Sequence, residues 1–140
     1  MEKGRIFYLE DEKEWIERVR ELLADEYDFY AASSLKEAVQ LFNEMAADDL
    51  KIDLALIDVS LIKDDAHDKK GLKFVEALEK SGIMLGHSII ILSAYTQTDE
   101  NWRVAFRDYQ VVDVYDKGNY ADERLELKQT IKETIEKLRG

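Results

Sequence analysis

The sequence contains no cysteine and no proline among its 140 residues. The absence of cysteine excludes disulfide bonds, thiolate nucleophiles and metal sites built from cysteine. No apolar run approaches the roughly 20 residues that a membrane-spanning helix needs, and no charged-then-apolar leader opens the chain. We therefore expect a cytoplasmic protein without a membrane segment.

Basic residues are also scarce, because 20 Lys and Arg stand against 31 Asp and Glu and give a net charge of −11 at pH 7. This charge disfavours direct binding to nucleic acid, which depends on neutralising phosphates, and it disfavours anionic membrane surfaces. Hydrophobic residues make up 46% of the sequence, enough for a globular core at the size of one domain. We expect residues 1–140 to form a single domain.

Apolar runs typical of buried strands alternate with helical patterns along the chain. The strand-like runs cover residues 5–10, 27–31, 54–58, 87–93 and 111–115. The helical patterns cover residues 14–24, a second helix that begins at the capping box Ser34–Glu37, and residues 71–80, 99–109 and 122–139. Within these helices, the spacing assigns Trp15 to the core and Leu125 to the buried side of the last helix. The fivefold alternation predicts a doubly wound α/β fold, with a five-stranded parallel sheet between two layers of helices.

Polar side chains follow four of these strands at the end where open α/β sheets bind ligands. They are Glu10, Asp11, Asp58, Ser93 and Lys117. Two carboxylates about 4 Å apart repel each other by about 1 kcal/mol in water and by about 4 kcal/mol at an effective dielectric constant of 20. An acidic cluster therefore needs raised pKa values or neighbouring cations. Lys117 supplies one positive charge, and a divalent cation that prefers oxygen ligands, best of all Mg²⁺, would supply the rest.

A carboxylate in such a site can attack phosphorus and form an aspartyl phosphate. The lysine would offset charge on the transferred group, and the Ser93 hydroxyl would donate to a phosphoryl oxygen. Simpler interpretations stand beside this one. Asp58 can cap a turn, Glu10 and Asp11 can be solvated acids before the first helix, and Lys117 can be a surface lysine. The four motifs taken together favour the chemical interpretation.

In their order and spacing the four motifs resemble the receiver (REC) domain of two-component response regulators. The motifs are Leu-Glu10-Asp11-Glu12, Leu-Ile-Asp58, Ile-Leu-Ser93-Ala94 and Asp-Lys117. The resemblance implies a flavodoxin-like (βα)5 fold with strand order 2-1-3-4-5. It also implies that Asp58 accepts a phosphoryl group, that Ser93 is the switch hydroxyl, and that Lys117 pairs with the phosphate. The implied Mg²⁺ ligands are Asp11, Asp58 and the backbone carbonyl of Ser60, with Glu10 acting through a metal-bound water.

The resemblance also implies partners and an output. The phosphodonor would be a sensor histidine kinase or a phosphotransfer protein. Phosphorylation would then switch a surface that binds a downstream protein partner or a second copy of the chain. The chain would be a phosphoacceptor rather than an enzyme, although it can catalyse its own phosphorylation and dephosphorylation. We expect no effector domain in residues 1–140, and no direct contact with nucleic acid or a membrane.

The sequence departs from the family pattern mildly at Glu10, where Asp is commoner, and at Ser93, where Thr is more frequent, and it departs more markedly in three other places. Gly118 follows Lys117 where the family usually has proline, so the common cis bond is absent and the loop should be looser. Val114 stands where the family often has Tyr or Phe, and the adjacent Tyr115 cannot substitute for it unless the strand carries a bulge. The polar loop over residues 59–70 is longer than usual, and its sequence indicates no specific role.

Two other functions remain open at this stage. A pseudo-receiver that binds a partner without accepting phosphate is compatible with the departures at Val114 and Gly118. An aspartyl-phosphate phosphatase resembling the haloacid dehalogenases is the other alternative. Those enzymes usually carry a second Asp two residues after the nucleophile, where this chain has Ser60.

Overall fold

The computed structural model describes residues 3–59, 70–94 and 106–140. Its helices and strands are β1 (Gly4–Leu9), α1 (Lys13–Leu23), β2 (Tyr27–Ala32), α2 (Leu35–Ala47), β3 (Leu54–Ile57), α3 (Lys70–Ser81), β4 (Ser88–Ser93), β5 (Gln110–Asp116) and α4 (Tyr120–Arg139). A 3-10 turn over Lys117–Asn119 joins β5 to α4. The helix predicted over residues 99–109 lies mostly outside the described residues, and residues 106–108 form a turn. Ser60 and nearly all of the 59–70 loop also lie outside them.

The five strands form one parallel sheet in the order β2-β1-β3-β4-β5. This order confirms the prediction of a doubly wound, flavodoxin-like sheet. The strands β1, β3, β4 and β5 are consecutive neighbours in the sheet, and all of them run in the same direction. The residues that follow these four strands therefore meet at one edge of the sheet.

Both faces of the sheet are buried along the central strands β1, β3 and β4, which explains why these strands are nearly continuously apolar. Along β3, Leu54 and Leu56 pack into the cluster that includes buried residues of α1 and α4. Ala55 and Ile57 point to the opposite face and pack into the cluster that includes residues of α2 and α3. All four side chains are fully buried. Successive side chains of a strand point to opposite faces of the sheet and thus pack into two separate cores.

The buried side of α4 differs from the sequence prediction at one position. Leu125 is 68% exposed, while Leu127, Ile131 and Ile135 form the buried side. Two residues of an α-helix subtend about 200°, so Leu125 and Leu127 necessarily face nearly opposite directions. No helix among the described residues is both long and apolar enough to cross a membrane.

Local signals in the sequence explain two of the helix ends. The Ser34 hydroxyl accepts a hydrogen bond from the Glu37 amide at 3.1 Å and so caps α2, as the capping box predicts. The second hydrogen bond of the capping box differs from the usual one by one residue. The Glu37 carboxylate accepts from the amide of Ser33 at 2.7 Å instead of from the amide of Ser34. Gly82 follows α3 with a φ of 66°, the left-handed conformation that glycine adopts most easily after a helix.

Strand β5 carries the irregularity that bears on the missing aromatic residue. Its pairing with β4 shifts by one residue, since Ile89 pairs with Val111 and Ile90 pairs with Asp113. The shift lies before Val114 and Tyr115, which still face opposite sides of the sheet. Val114 is 37% exposed, whereas Tyr115 is 4% exposed and packs in the cluster shared with α4. A bulge is therefore present, but it does not bring Tyr115 to the position of Val114.

Candidate functional site

The sheet topology brings five of the predicted site residues to one edge. Glu10 and Asp11 follow β1, Asp58 follows β3, Ser93 is the last residue of β4, and Lys117 opens the turn after β5. Hydrogen bonds, ion pairs and close carboxylate oxygens join these residues into one cluster. Ser60, the remaining predicted ligand, lies outside the described residues. We call the side chains of Glu10, Asp11, Asp58, Ser93 and Lys117 the strand-end cluster.

Asp58 lies at the centre of the strand-end cluster and is only 3% exposed. Its backbone amide donates to the carbonyl of Leu9 at 3.0 Å, so the sheet pairing continues to the start of the site. The Ser93 hydroxyl donates to Oδ1 at 2.8 Å, and the Lys117 ammonium donates to Oδ2 at 2.9 Å. Each carboxylate oxygen thus has a donor from a different strand end, and together they fix the orientation of the carboxylate.

Glu10 is fully buried beside it. Its Oε2 accepts from the Tyr8 hydroxyl at 3.0 Å and from the Lys117 ammonium at 2.6 Å, while Oε1 accepts from the Glu12 amide at 3.1 Å. Burial raises the pKa of Glu10 to about 7, against the opposing effects of the Lys117 and Glu12 hydrogen bonds. Burial and the neighbouring Glu10 also raise the pKa of the Tyr8 hydroxyl. The charge on Glu10 therefore depends on the cations around it.

Lys117 supplies the positive charge of the strand-end cluster. Its ammonium bridges Glu10 and Asp58, and its side chain is 9% exposed. Burial by itself lowers the pKa of Lys117, but the hydrogen bonds to these two carboxylates outweigh it, and the pKa lies above its usual value. The lysine therefore remains charged at neutral pH.

The donor set of the strand-end cluster fits a hard divalent cation. Glu10, Asp11 and Asp58 each offer a carboxylate oxygen, and the three oxygens lie within 4.8 Å of one another. Asp11 is exposed, so the side of the cluster that it forms is open to solvent. Mg²⁺ prefers such oxygen ligands and retains several waters when it binds. These three residues would hold Mg²⁺ together with water molecules.

Sequence reasoning missed two contacts of the site. Trp15 packs against the core, as its helical spacing predicts, but it is only half-buried and its ring centroid lies 5.1 Å from the Lys117 Nζ. The sequence analysis does not single out Tyr8, whose hydroxyl donates to Glu10 at 3.0 Å. Both contacts could have been inferred from position in the sequence. Tyr8 lies two residues before Glu10 and therefore points to the same face of the strand, and Trp15 lies in the first turn of the helix that follows Glu10 and Asp11.

Comparison with known proteins gives a match in structure and none in sequence. No family model matches the chain, and no curated protein matches it. The structure is similar to a signal receiver domain of a two-component histidine kinase from Clostridium thermocellum, with a TM-score of 0.68 and 20% identity over 94% of this chain and 97% of that one. It is similar to the signal receiver domain of a putative Luxo repressor protein from Vibrio parahaemolyticus, with a TM-score of 0.66 and 18% identity over 98% and 93%.

A third similar structure is a CheY-like response regulator receiver domain protein from Methanospirillum hungatei. Its TM-score is 0.62 at 19% identity, over 97% of each chain. All three solved structures are receiver domains, and the chain has the receiver-domain fold. The expected fold is thereby confirmed over nearly the whole chain.

Proposed function

We propose that the chain is a phosphorylation-controlled signalling receiver in which Asp58 accepts a phosphoryl group. The observation that carries the proposal is the environment of the Asp58 carboxylate. It is buried at the end of β3, Ser93 and Lys117 donate to its two oxygens, and two further carboxylates lie beside it. A carboxylate that only capped a turn would need none of these groups.

In the proposed reaction, a carboxylate oxygen of Asp58 forms a bond to phosphorus while the bond from phosphorus to the donor breaks. The electron pair of that bond stays with the donor, a phosphohistidine nitrogen of a sensor histidine kinase or a phosphotransfer protein, and the nitrogen takes a proton from solvent. Lys117 and Ser93 would then pair with the new phosphoryl oxygens. Mg²⁺ held by Glu10, Asp11 and Asp58 would offset part of the negative charge of the phosphoryl group.

The output would be a shift between two populations of the same fold. Movement of Ser93 and Lys117 toward the phosphoryl group changes the ends of β4 and β5, and with them the surface of β5 and α4. That surface would bind a downstream protein or a second copy of the chain. Tyr115 is buried, and its hydroxyl is hydrogen-bonded to Thr130 at 2.9 Å. Its side chain is therefore held in place and cannot change rotamer as an aromatic residue at the position of Val114 would.

The test is incubation of the chain with acetyl phosphate and Mg²⁺, followed by intact-mass measurement. We expect a gain of one phosphoryl group in the wild type and none in Asp58→Ala. Asp25→Ala, which removes an exposed carboxylate away from the site, is the matched control and should gain the same mass as the wild type. No gain in the wild type would favour a pseudo-receiver. Continuous release of phosphate from small esters, lost in Asp58→Asn, would favour a phosphatase.

A further inference from the structure

Trp15 is not one of the five residues of the strand-end cluster, but its ring lies next to the Lys117 ammonium. It lies in the first turn of α1, and its ring centroid is 5.1 Å from the Lys117 Nζ. The ring packs edge-on against Tyr120 at the start of α4, with the centroids 5.1 Å apart. The guanidinium of Arg18 lies 4.8 Å from the same ring. Trp15 is therefore held by its neighbours in a fixed position beside the lysine.

An aromatic ring offers the ammonium a kind of contact that the carboxylates do not. Its π face attracts a cation but accepts no strong hydrogen bond. The ammonium of Lys117 has three N–H donors, and Glu10 and Asp58 already accept from it. In the proposed reaction the lysine must exchange a carboxylate oxygen for a phosphoryl oxygen. The ring can hold the charge near Asp58 during that exchange without competing for the hydrogen bonds.

A groove next to the strand-end cluster gives the Lys117 side chain an alternative position. A groove of about 760 Å³ between α1 and α4 reaches Lys117, and its lining includes the Glu21 carboxylate and two arginine side chains. Solvent and the Glu21 carboxylate in this groove would stabilise an ammonium that left the strand-end cluster, while the two guanidinium groups would repel it. Lys117 follows Asp116 on a turn without proline, closed by the hydrogen bond from the Gly118 amide to Asp116 at 2.7 Å. The position of the ammonium thus depends on contacts along the lysine side chain.

We propose that Trp15 is a positioning residue that holds the Lys117 ammonium at the Asp58 carboxylate. The inference rests on the proposed function, because the lysine assists phosphoryl transfer only if Asp58 is the acceptor. Trp15 itself touches neither the phosphorus nor the donor in this step. It acts through Lys117, and its effect on phosphoryl uptake disappears when the lysine is absent.

The first experiment compares Trp15→Leu and Trp15→Phe in the full chain. We expect Trp15→Leu to lower the rate of phosphoryl uptake from acetyl phosphate at saturating Mg²⁺ by about 3- to 30-fold, the range that corresponds to a cation–π contact. Trp15→Phe keeps a π face and should stay within about threefold of the wild type. Val19→Ala, a buried change in the same helix, is the control for general loosening of α1 and should retain the wild-type rate while folded.

The second experiment repeats Trp15→Leu in a Lys117→Met background. A positioning residue has no further effect there, whereas a residue that supports the fold lowers the rate by the same factor in both backgrounds. The latter result would overturn the inference while leaving the proposed function intact. Equal losses in Trp15→Phe and Trp15→Leu would also overturn it.

A third measurement does not depend on phosphorylation. The ring current of Trp15 should shift the NMR signals of the Lys117 side chain, and this shift should vanish in Trp15→Leu. If the wild type takes no phosphoryl group, the proposed function fails, and a ring-current shift would still support the position assigned to Trp15. Unshifted Lys117 signals in the wild type would overturn the inference whatever the outcome of phosphorylation.

Discussion

At the scale of single residues, the main energetic feature of the site is one ammonium between two buried carboxylates. Lys117 contacts both Glu10 and Asp58, and both carboxylates are buried. Removal of one partner from a buried ion pair usually costs more than the pair contributes, because it leaves a charge buried without compensation. Here the loss of the lysine would leave the buried Asp58 carboxylate without its cation, and it would push the already raised pKa of Glu10 higher, so that Glu10 takes up a proton.

We therefore expect Lys117→Met to lower the free energy of unfolding by about 3 kcal/mol in EDTA. Saturating Mg²⁺ should recover a large part of this loss, since an ion held by the same carboxylates would compensate their charge. Urea denaturation with EDTA and with Mg²⁺ measures both values.

Lys132→Met, an exposed lysine on α4, is the matched control for Lys117→Met and should change stability by less than about 0.5 kcal/mol. An equal loss for Lys117→Met with and without Mg²⁺ would mean that the metal and the lysine do not share the carboxylates.

At the scale of helices and strands, the sequence predicted correctly those features that a single local pattern determines. The apolar run that ends at Asp58 predicts both a buried strand and the edge to which its acid is delivered, and the observed sheet has this arrangement. Leu125 and the bulge in β5 were not predictable in this way. The rotation of a helix and the register of an edge strand depend on packing partners that a local window does not contain.

The contact between Tyr115 on β5 and Thr130 on α4 predicts a dependence on alkaline pH. Burial raises the pKa of Tyr115 from 10.0 to about 12, against the opposing hydrogen bond from Thr130. Between these values the unfolded chain has already lost the proton while the folded chain retains it. The unfolded state then binds fewer protons, and the free energy of unfolding falls as the pH rises.

Tyr115→Phe removes this proton, so its stability curve should lack the corresponding fall. The difference between wild type and variant should begin near pH 10 and change by about 2 kcal/mol, in favour of the variant, by about pH 12. Urea denaturation over this pH range measures the difference. Parallel curves would show that Tyr115 titrates alike in both states.

The end of α4 is attached to the sheet by a pair that no local pattern indicates, since its partners are 86 residues apart. Asp53 precedes β3 and is fully buried. Arg139 donates to both of its carboxylate oxygens, from Nε at 3.0 Å and from a terminal nitrogen at 2.9 Å. The amide of Arg5 also donates to Asp53 at 2.7 Å. Such a two-point contact fixes the last turn of the helix against β1 and β3.

Arg139→Ala should therefore lower the free energy of unfolding by about 2 kcal/mol, because Asp53 stays buried without its cation. Lys137→Ala, in the same helical turn and exposed, is the matched control and should cost less than about 0.5 kcal/mol. Thermal or urea denaturation gives both numbers. Equal effects of the two substitutions would mean that the contact contributes nothing specific.

At the scale of the whole molecule, the net charge of −11 has two separate consequences. General repulsion among acids spread over the surface destabilises the folded chain and weakens when salt screens it. The strand-end cluster adds a local concentration of charge that screening by monovalent salt relieves poorly, because Glu10 and Asp58 are buried. A specific divalent ion and general ionic strength should thus stabilise the protein by different amounts.

We expect Mg²⁺ to raise the melting temperature more than NaCl of equal ionic strength does. At ten times its dissociation constant, an ion that binds only the folded chain adds about 1.4 kcal/mol to the free energy of unfolding. Asp11→Asn should lose most of the Mg²⁺-specific increase, because Asp11 is the exposed carboxylate of the cluster. Asp25→Asn removes the same charge from an exposed turn and should keep the increase. If the two variants respond alike to Mg²⁺, the ion acts on the overall charge of the protein and the strand-end cluster is not its binding site.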